Sequence, residues 1–212
     1  MEFGAWDGCF LANCRLLFER GWGGLFIEAD KERFADLLRN YRDYPSIHCA
    51  NELVSADNPL DEVVRRHTRF GAVDFVSIDV DGRDLDIALA SNLSRLGVKV
   101  LLIEGGFNFD PRLATRLPAE LVATGCGQPI AVMISELKSA GYEAVCFFQD
   151  LYLVRADLLA DHFAGVRRDA VSLYLDAYNF GGDKLKELLA TYRGSIQAER
   201  IEKAANLEYL RF

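Results

Sequence analysis

The sequence predicts an α/β protein built on a mostly parallel β-sheet that is flanked by helices. Its apolar periodicity switches repeatedly between short β-like runs and longer helical stripes, which is the pattern of a parallel sheet with crossover helices. The runs at residues 73–78 and 98–103 are rich in apolar and β-branched residues, as strands covered on both faces tend to be. At 212 residues the chain is long enough to bury one core without disulfides or metals.

Strands and helices are predicted to alternate through the first half of the chain. Gly21 is expected to end the first helix as a left-handed cap, and Pro45 bars continuation of the second. Asn58-Pro59 is the predicted cap and first-turn pair of the third helix. The predicted strands lie near residues 2–4, 25–27, 47–50, 73–78 and 98–103, and the predicted helices near residues 9–20, 34–41, 60–67 and 85–93.

The second half is predicted to begin with a long loop and to end in helices. Residues 104–128 contain several glycines and prolines with few periodic signals, so they are the candidate substrate loop. A helix at residues 130–137 and a hairpin at residues 145–154 follow, the hairpin placing an antiparallel element at the sheet edge. We expect residues 1–158 to form the main body. Residues 159–212, with an apolar stripe at Leu185, Leu188, Leu189, Tyr192 and Ile196, form a helical extension of the same domain, as a lid, a core layer or a dimer contact.

Composition narrows the range of partners. A net charge of -8 and a pI near 5.0 work against binding to a phosphate backbone, so nucleic acid is not an expected partner. No apolar run approaches the roughly 20 residues of a membrane-spanning helix, and no export signal is seen, so we expect a cytoplasmic protein. The scattered cysteines, which lack any C-x-x-C pair, are expected to be buried thiols: Cys9, Cys14, Cys49, Cys126 and Cys146.

The segment Glu-Phe-Gly-Ala-Trp-Asp-Gly at residues 2–8 lies between the first strand and the first helix. Its small residues let a backbone approach a ligand closely. Glu28 closes the next strand, 20 residues after Gly8, where a βαβ nucleoside site places a carboxylate for the ribose hydroxyls. The G-x-x-x-G spacing lacks the middle glycine of a dinucleotide site, and Glu2 and Asp7 put negative charge where a pyrophosphate would sit. A cofactor with an ammonium and a sulfonium fits better.

Several further motifs follow the first one along the chain. The full set is residues 2–8, Ile27-Glu-Ala-Asp30, Gly71-Ala-Val-Asp-Phe-Val76, Ser77-Ile-Asp-Val-Asp-Gly82, Val100–Glu104, a helix start at Gly125, and Tyr152–Asp157. In this set the chain resembles the FkbM-like methyltransferases over roughly residues 2–158. The resemblance implies a Rossmann-like class I methyltransferase sheet of seven strands with a reversed last strand, S-adenosylmethionine as cofactor, and methyl transfer to oxygen.

The resemblance also implies roles for individual residues. Asp79 lies near the sulfonium and the methionine amino end, and Glu28 holds the ribose. Trp6 either leans on the cofactor or plugs the helix N-terminus. Gly4, Ala5, Asp7 and Gly8 surround the methionine part, Glu2 lies beside them, and Ala29, Asp30, Asn51 and Glu52 flank the adenine. Where relatives commonly have Glu-Tyr-Asn-Pro after the fifth strand, this chain has Glu104-Gly-Gly-Phe-Asn-Phe, so the acceptor side departs from the family pattern.

Asp79, Asp81 and Glu104 follow two neighbouring predicted strands and are the candidate catalytic or metal-binding group. Carboxylates at this edge are suited to hold Mg²⁺ and to acidify a hydroxyl, with Asp79 and Asp81 as the catalytic candidates. The structural alternative is that Asp81-Gly82 is turn chemistry and Asp84 caps the next helix. His67 lies on an apolar helical stripe, which favours a boundary residue over a base.

The predicted function is S-adenosylmethionine-dependent O-methylation of a small-molecule or sugar hydroxyl, and the expected assembly is a homodimer. A nucleotide-sugar glycosyltransferase using Asp79 and Asp81 stays open, although it leaves Gly4, Gly8 and Glu28 unexplained. A nicotinamide oxidoreductase would need G-x-G-x-x-G, which the chain lacks. A non-catalytic cofactor-binding or scaffolding protein is the third alternative. The sequence does not select the acceptor.

Overall fold

The computed structural model describes residues 1–106, 109–166 and 168–177, with only the backbone at residues 161 and 162. It confirms the predicted fold class, a Rossmann-like α/β fold with a seven-stranded, mostly parallel sheet and helices beside it. The strands are β1 (Glu2–Phe3), β2 (Gly24–Ile27), β3 (Ile47–Ala50), β4 (Phe75–Ile78), β5 (Val100–Glu104), β6 (Tyr142–Phe148) and β7 (Asp150–Arg155).

The strand order is β3-β2-β1-β4-β5-β7-β6. The chain therefore moves outward from β1 through β2 to β3, then returns to the other side of β1 to form β4. Ligands of open α/β sheets bind outside the carboxyl ends of the strands at such a reversal point. β1 is parallel to both β2 and β4, and β7 is antiparallel to β6, which confirms the expected hairpin and the reversed last strand.

Most helices lie where the apolar stripes predict them. They are α1 (Arg15–Glu19), α2 (Lys31–Tyr41), α3 (Leu60–His67), α4 (Asp84–Ala90), α5 (Ala119–Leu121), α6 (Ile130–Ser139) and α7 (Leu159–His162). A 3₁₀ turn at Ala156–Leu158 precedes α7, and residues 170–177 are helical as well. In the part of the chain that the structure describes, no helix is long and apolar enough to cross a membrane.

The first helix is the largest departure from the prediction, because it begins at Arg15 rather than near Cys9. Residues 9–14 are turns, and Leu11 has a φ of 52°, which a helix does not contain. The predicted cap of α3 was also wrong. Pro59 occupies the N-cap position without a side-chain cap, while the Asn58 amide donates back to the Leu53 carbonyl.

The expected loop at residues 104–128 contains local structure of its own. The short helix α5 continues into a π-helical turn at Val122–Cys126. Gly125, expected to start a helix, has a φ of 86° inside that turn, and the helix starts at Ile130 instead. The predicted stripe at Leu185, Leu188, Leu189, Tyr192 and Ile196 lies outside the described residues.

The chain divides into two compact units. The first comprises Met1–Val80 and Asp86–Leu101, and the second comprises Asp81–Leu85 and the described residues from Leu102 onward. In the first unit a core cluster that includes Phe26, Leu37 and Tyr41 packs between the sheet and α2. In the second unit a separate cluster forms around the loop, from Phe109, Leu117, Val122 and Cys126.

The cysteines only partly match the expectation of buried thiols. Cys14 and Cys126 are buried and Cys49 is partly buried, whereas Cys9 and Cys146 are exposed. Cys9 lies in the loop that replaces the first half of the predicted helix. Cys146 lies in β6, the last strand in the sheet order.

Candidate functional site

The register of the first four strands aligns the predicted site residues in one row. Phe3 pairs with both Ile27 and Ile78, and Ile27 pairs with Ala50. These four residues are the last of their strands, so the residues that follow them stand side by side at the carboxyl edge. Neighbouring strands lie about 4.8 Å apart, so the row spans roughly 14 Å. In sheet order it reads Asn51, Glu28, Gly4 and Asp79.

The two glycines of the first motif are required by packing within the protein. Gly4 has a φ of 68°, and a Cβ on it would overlap the Asp79 carbonyl oxygen. Gly8 has a φ of 72°, and a Cβ there would overlap the Tyr41 ring and lie 2.7 Å from Leu37 Cδ1. The backbone therefore passes close to the end of β4 at Gly4 and close to α2 at Gly8.

The rest of the loop is fixed by hydrogen bonds. Asp7 Oδ1 accepts from the backbone N–H groups of Cys9 and Phe10, both at 2.8 Å. From α2, the Tyr41 hydroxyl donates to the Gly8 carbonyl at 2.5 Å, and the Asn40 amide donates to the Asp7 carbonyl at 2.9 Å. The Asp7 carboxylate thus shapes the turn itself. The contributions of Asn40 and Tyr41 were not predicted, because Tyr41 belongs to the apolar stripe that packs the core and Asn40 is an exposed residue of the same helix.

Glu28 joins the first two motifs. Its Oε2 accepts from the Trp6 backbone N–H at 2.8 Å, and its Oε1 accepts from the Asp30 backbone N–H at 2.8 Å. The side chain is buried, with the residue 6% exposed. An ionised carboxylate has about four acceptor positions, so two remain after these bonds. Glu28 is therefore held in a defined orientation and is still able to accept hydrogen bonds from a ligand.

Trp6 lies at the surface of the same loop. Its φ is 50°, the residue is 44% exposed, and the Arg33 guanidinium lies 3.7 Å from the ring centroid. The helix begins only at Arg15, so Trp6 does not plug a helix N-terminus. The cation–π contact ties the loop to α2, since Arg33 is in its first turn.

Glu2 is a buried residue of β1, two residues before Gly4 in the row. Its Oε1 accepts from the Asn13 backbone N–H at 2.7 Å, and its Oε2 accepts from the Cys14 backbone N–H at 2.9 Å. Desolvation raises the pKa of the Glu2 carboxyl, and the hydrogen bonds from Cys14 and Asn13 oppose that rise. Glu2 therefore holds the segment that leads into α1.

Asn13 connects this segment to the end of β4. Its Nδ2 donates to Ser77 Oγ at 3.1 Å and lies 3.4 Å from Asp79 Oδ2. The sequence prediction missed this residue, because residues 9–14 were assigned to a helix. No local signal marks it, since its position depends on the buried Glu2 carboxylate.

The remaining predicted adenine contacts have structural partners. Asn51 Nδ2 donates to the carbonyls of Glu28 and Ala29 at 2.8 and 3.0 Å, which ties the ends of β2 and β3. Asp30 caps α2 by accepting from the backbone N–H groups of Glu32 and Arg33, both at 2.9 Å.

Glu52 is engaged with α3. Its carboxylate lies 2.9 Å from His67 Nε2 and 3.2 Å from the Arg66 guanidinium. Hydrogen bonds from His67 and then Arg66 lower the pKa of Glu52. His67 is therefore a paired residue at the boundary between core and surface, as its position on the apolar stripe predicts.

The carboxylates of the predicted metal group belong to different units. Asp79 follows β4 in the first unit, whereas Asp81 and Glu104 are in the second, where their carboxylate oxygens lie within 4.8 Å of each other. Asp81 has a φ of 58°, and Gly82, with a φ of 131°, donates its N–H to Asp84 Oδ2 at 2.8 Å. The predicted turn is therefore present at Asp81-Gly82. Asp84 accepts across that turn as the first residue of α4.

No family model and no curated protein matches the chain.

Proposed function

We propose that this protein binds S-adenosylmethionine along the carboxyl edge of β1 to β4 and transfers its methyl group to a hydroxyl of a small molecule or sugar. One observation carries the proposal. Strand register aligns Asn51, Glu28, Gly4 and Asp79 in a row at the reversal point of the sheet. Such edges are where nucleoside ligands bind in this class of fold.

The residues present fit a cationic nucleoside better than a pyrophosphate. Glu28 keeps acceptor positions that suit the two hydroxyls of a ribose. Asp79 adds a carboxylate at the β4 end of the row, where an ammonium or sulfonium would be stabilised. The Asp7 carboxylate lies in the loop that follows β1. A ligand with phosphates would therefore meet negative charge from Glu28, Asp7 and Asp79 along most of this edge.

The cofactor supplies an electrophilic methyl group on a positively charged sulfur. Displacement at such a carbon needs aligned reactants and exclusion of water more than it needs covalent help from the protein. Glu28 would orient the ribose. The loop at residues 4–8, held by Gly4, Gly8 and Tyr41, would fix the methionine part of the cofactor. Asp79 would hold the amino end of the methionine part.

Asp81 and Glu104 form a candidate metal site, and such a site would also suit a second function, that of a nucleotide-sugar glycosyltransferase. Two carboxylates whose oxygens lie within 4.8 Å have the chemistry to hold a divalent cation such as Mg²⁺. In a methyltransferase this cation would acidify the acceptor hydroxyl, whereas in a nucleotide-sugar glycosyltransferase it would bind the diphosphate. The two functions differ in the nucleotide that they require.

Calorimetric titration with S-adenosylhomocysteine, the demethylated product, tests the main proposal. We expect micromolar binding by the unaltered protein. Glu28→Ala removes the ribose acceptor and is expected to weaken binding about 10- to 100-fold, the range for hydrogen bonds to a charged group. Glu32→Ala is the matched control, because Glu32 is an exposed carboxylate in the first turn of α2, and it is expected to bind as the unaltered protein does.

Parallel titrations with NADH, and with UDP-glucose in the presence and absence of Mg²⁺, separate the alternatives. Binding of UDP-glucose only with Mg²⁺, without binding of S-adenosylhomocysteine, would favour the glycosyltransferase. Absence of binding to all of these ligands by a folded protein would refute a nucleoside-dependent transferase. Thermal unfolding of each variant shows whether a loss of binding reflects the site or the fold, since Glu28 also holds the loop through Trp6.

A further inference from the structure

The loop between β1 and α1 meets Asp79 at both of its ends. At the first end, Gly4 has no space for a Cβ because the Asp79 carbonyl oxygen occupies it. At the second end, Asn13 Nδ2 lies 3.4 Å from Asp79 Oδ2. The loop is therefore closed on the end of β4, once through the main chain of Asp79 and once through its side chain.

Asn13 is held in place from below by a buried carboxylate. Glu2 is 2% exposed and accepts from the backbone N–H groups of Asn13 and Cys14. A carboxylate in the middle of a sheet is costly unless its oxygens are paired, and these two bonds provide the pairing. Because Glu2 is part of β1, its hydrogen bonds fix the position of Asn13 relative to the sheet rather than to the surface of the loop.

The side chain of Asn13 is oriented by two partners. Its Nδ2 donates to Ser77 Oγ at 3.1 Å, and Ser77 is a fully buried residue of β4. The 3.4 Å separation from Asp79 Oδ2 is long for a hydrogen bond, so this contact orients the carboxylate more than it neutralises it. An amide N–H directed at one oxygen of Asp79 restricts the rotation of that carboxylate.

We propose that Asn13 is a positioning residue, which orients the Asp79 carboxylate toward the amino end of the methionine part of the cofactor. The inference rests on the function proposed above. It predicts that Asn13 matters only for ligands that carry the amino acid part. It acts through Asp79, and it is distinct from the residues that hold the ribose.

Comparison of two ligands tests this role. S-adenosylhomocysteine carries the amino acid part, whereas 5′-methylthioadenosine lacks it and keeps the nucleoside. We expect Asn13→Ala to weaken S-adenosylhomocysteine about tenfold, close to the effect of one hydrogen bond to a charged group, and to change 5′-methylthioadenosine less than about twofold. Asn13→Asp keeps the size and the backbone N–H but places like charge beside Asp79, so we expect the same selective loss.

Asn40→Ala is the matched control. Asn40 also holds the loop, by donating to the Asp7 carbonyl at 2.9 Å, but its other hydrogen bond is to Cys9 Sγ rather than to Asp79. A loosened loop would change the affinities of both ligands by the same factor. A double-mutant cycle with Asp79→Asn adds an independent measure, since Asn13→Ala should have little further effect once the carboxylate is gone.

The outcomes separate the inference from the proposed function. Equal losses for the two ligands in Asn13→Ala, no loss for either, or additive effects with Asp79→Asn would overturn the positioning role while leaving the cofactor site in place. Failure of the unaltered protein to bind either ligand would overturn the proposed function and the positioning role with it.

Discussion

The G-x-x-x-G spacing of the first motif has a physical cause at the level of single residues. Gly4 and Gly8 both lie in the left-handed region, and at both positions neighbouring atoms occupy the space of a Cβ. Their absence of side chains lets the loop touch β4 and α2 at the same time. The spacing therefore reports how the loop is packed, and the packing in turn sets the shape of the proposed cofactor site.

Substitution of Gly4 tests this reading. Gly4→Ala places a methyl group against the main chain of Asp79, which cannot move without disturbing β4, and we expect a loss of about 2–4 kcal/mol in the free energy of unfolding. Gly21→Ala is the matched control. Gly21 has a similar backbone, with a φ of 86°, but nothing within 4 Å of its Cβ position, so only the backbone strain of about 1 kcal/mol applies. Equal losses in urea unfolding would show that the contact with Asp79 carries no cost.

Elements were predicted from sequence more successfully than their ends. The stripes of α2 and α6 and the apolar runs of β2 to β5 depend on local periodicity, which the sequence displays directly. The start of α1 does not, because the turns at residues 9–14 depend on Glu2, a residue of another element, and on a left-handed Leu11. The same holds for the candidate site. Glu28 and the glycines could be recognised by spacing, whereas Asn13 could not, since its role arises from tertiary contacts.

Helix α3 illustrates how a predicted ligand contact can instead belong to an element. Glu52 was predicted to contact the adenine, and its carboxylate pairs with Arg66 and His67 in the last turn of α3. That pairing anchors the helix to the segment after β3. Whatever it contributes to a ligand, Glu52 contributes to the attachment of this helix.

The stability of this attachment should depend on pH. The pKa of Glu52 is lowered from its ordinary value of 4.5 in the folded protein. The contacts of the ionised Glu52 carboxylate with His67 and Arg66 therefore stabilise the fold above about pH 4.5. This contribution is lost as the pH falls through the pKa that Glu52 has in the folded protein. We expect Glu52→Gln to reduce the free energy of unfolding by about 0.5–1 kcal/mol at neutral pH, since the pair is partly screened by solvent, and by much less near pH 3.

Urea unfolding at the two pH values measures this difference. Glu62→Gln is the control on the same helix, because Glu62 lies 3.9 Å from Arg65 and both side chains are at least half exposed. Its effect should stay within about 0.5 kcal/mol at both pH values. A cost for Glu52→Gln that is the same at both pH values would rule out an ionic origin.

At the scale of the whole molecule, the proposed cofactor residues are confined to one unit. The row from Asn51 to Asp79, the loop at residues 4–8 and the Glu2–Asn13 contact all lie within Met1–Val80 of the first unit. The hairpin of β6 and β7 and the loop cluster around Phe109 belong to the second unit. Glu104, Gly105 and Gly106, which begin the predicted substrate loop, also belong to the second unit. The proposed function therefore assigns cofactor binding to the first unit and the choice of acceptor to the second.

Hydrogen exchange with and without S-adenosylhomocysteine tests this confinement. Amides of surface loops exchange by local opening, so a ligand that touches them slows their exchange directly, whereas amides that exchange by global unfolding are slowed only through the overall gain in stability. We expect strong protection at residues 5–14 and 28–30, where the N–H groups of Trp6 and Asp30 donate to Glu28. The turn between β6 and β7 at Gln149, an exposed residue, serves as the internal control, and the exchange of its amides should not change. Protection of that turn equal to that of the first loop would show that the ligand acts outside the first unit and would contradict the assignment.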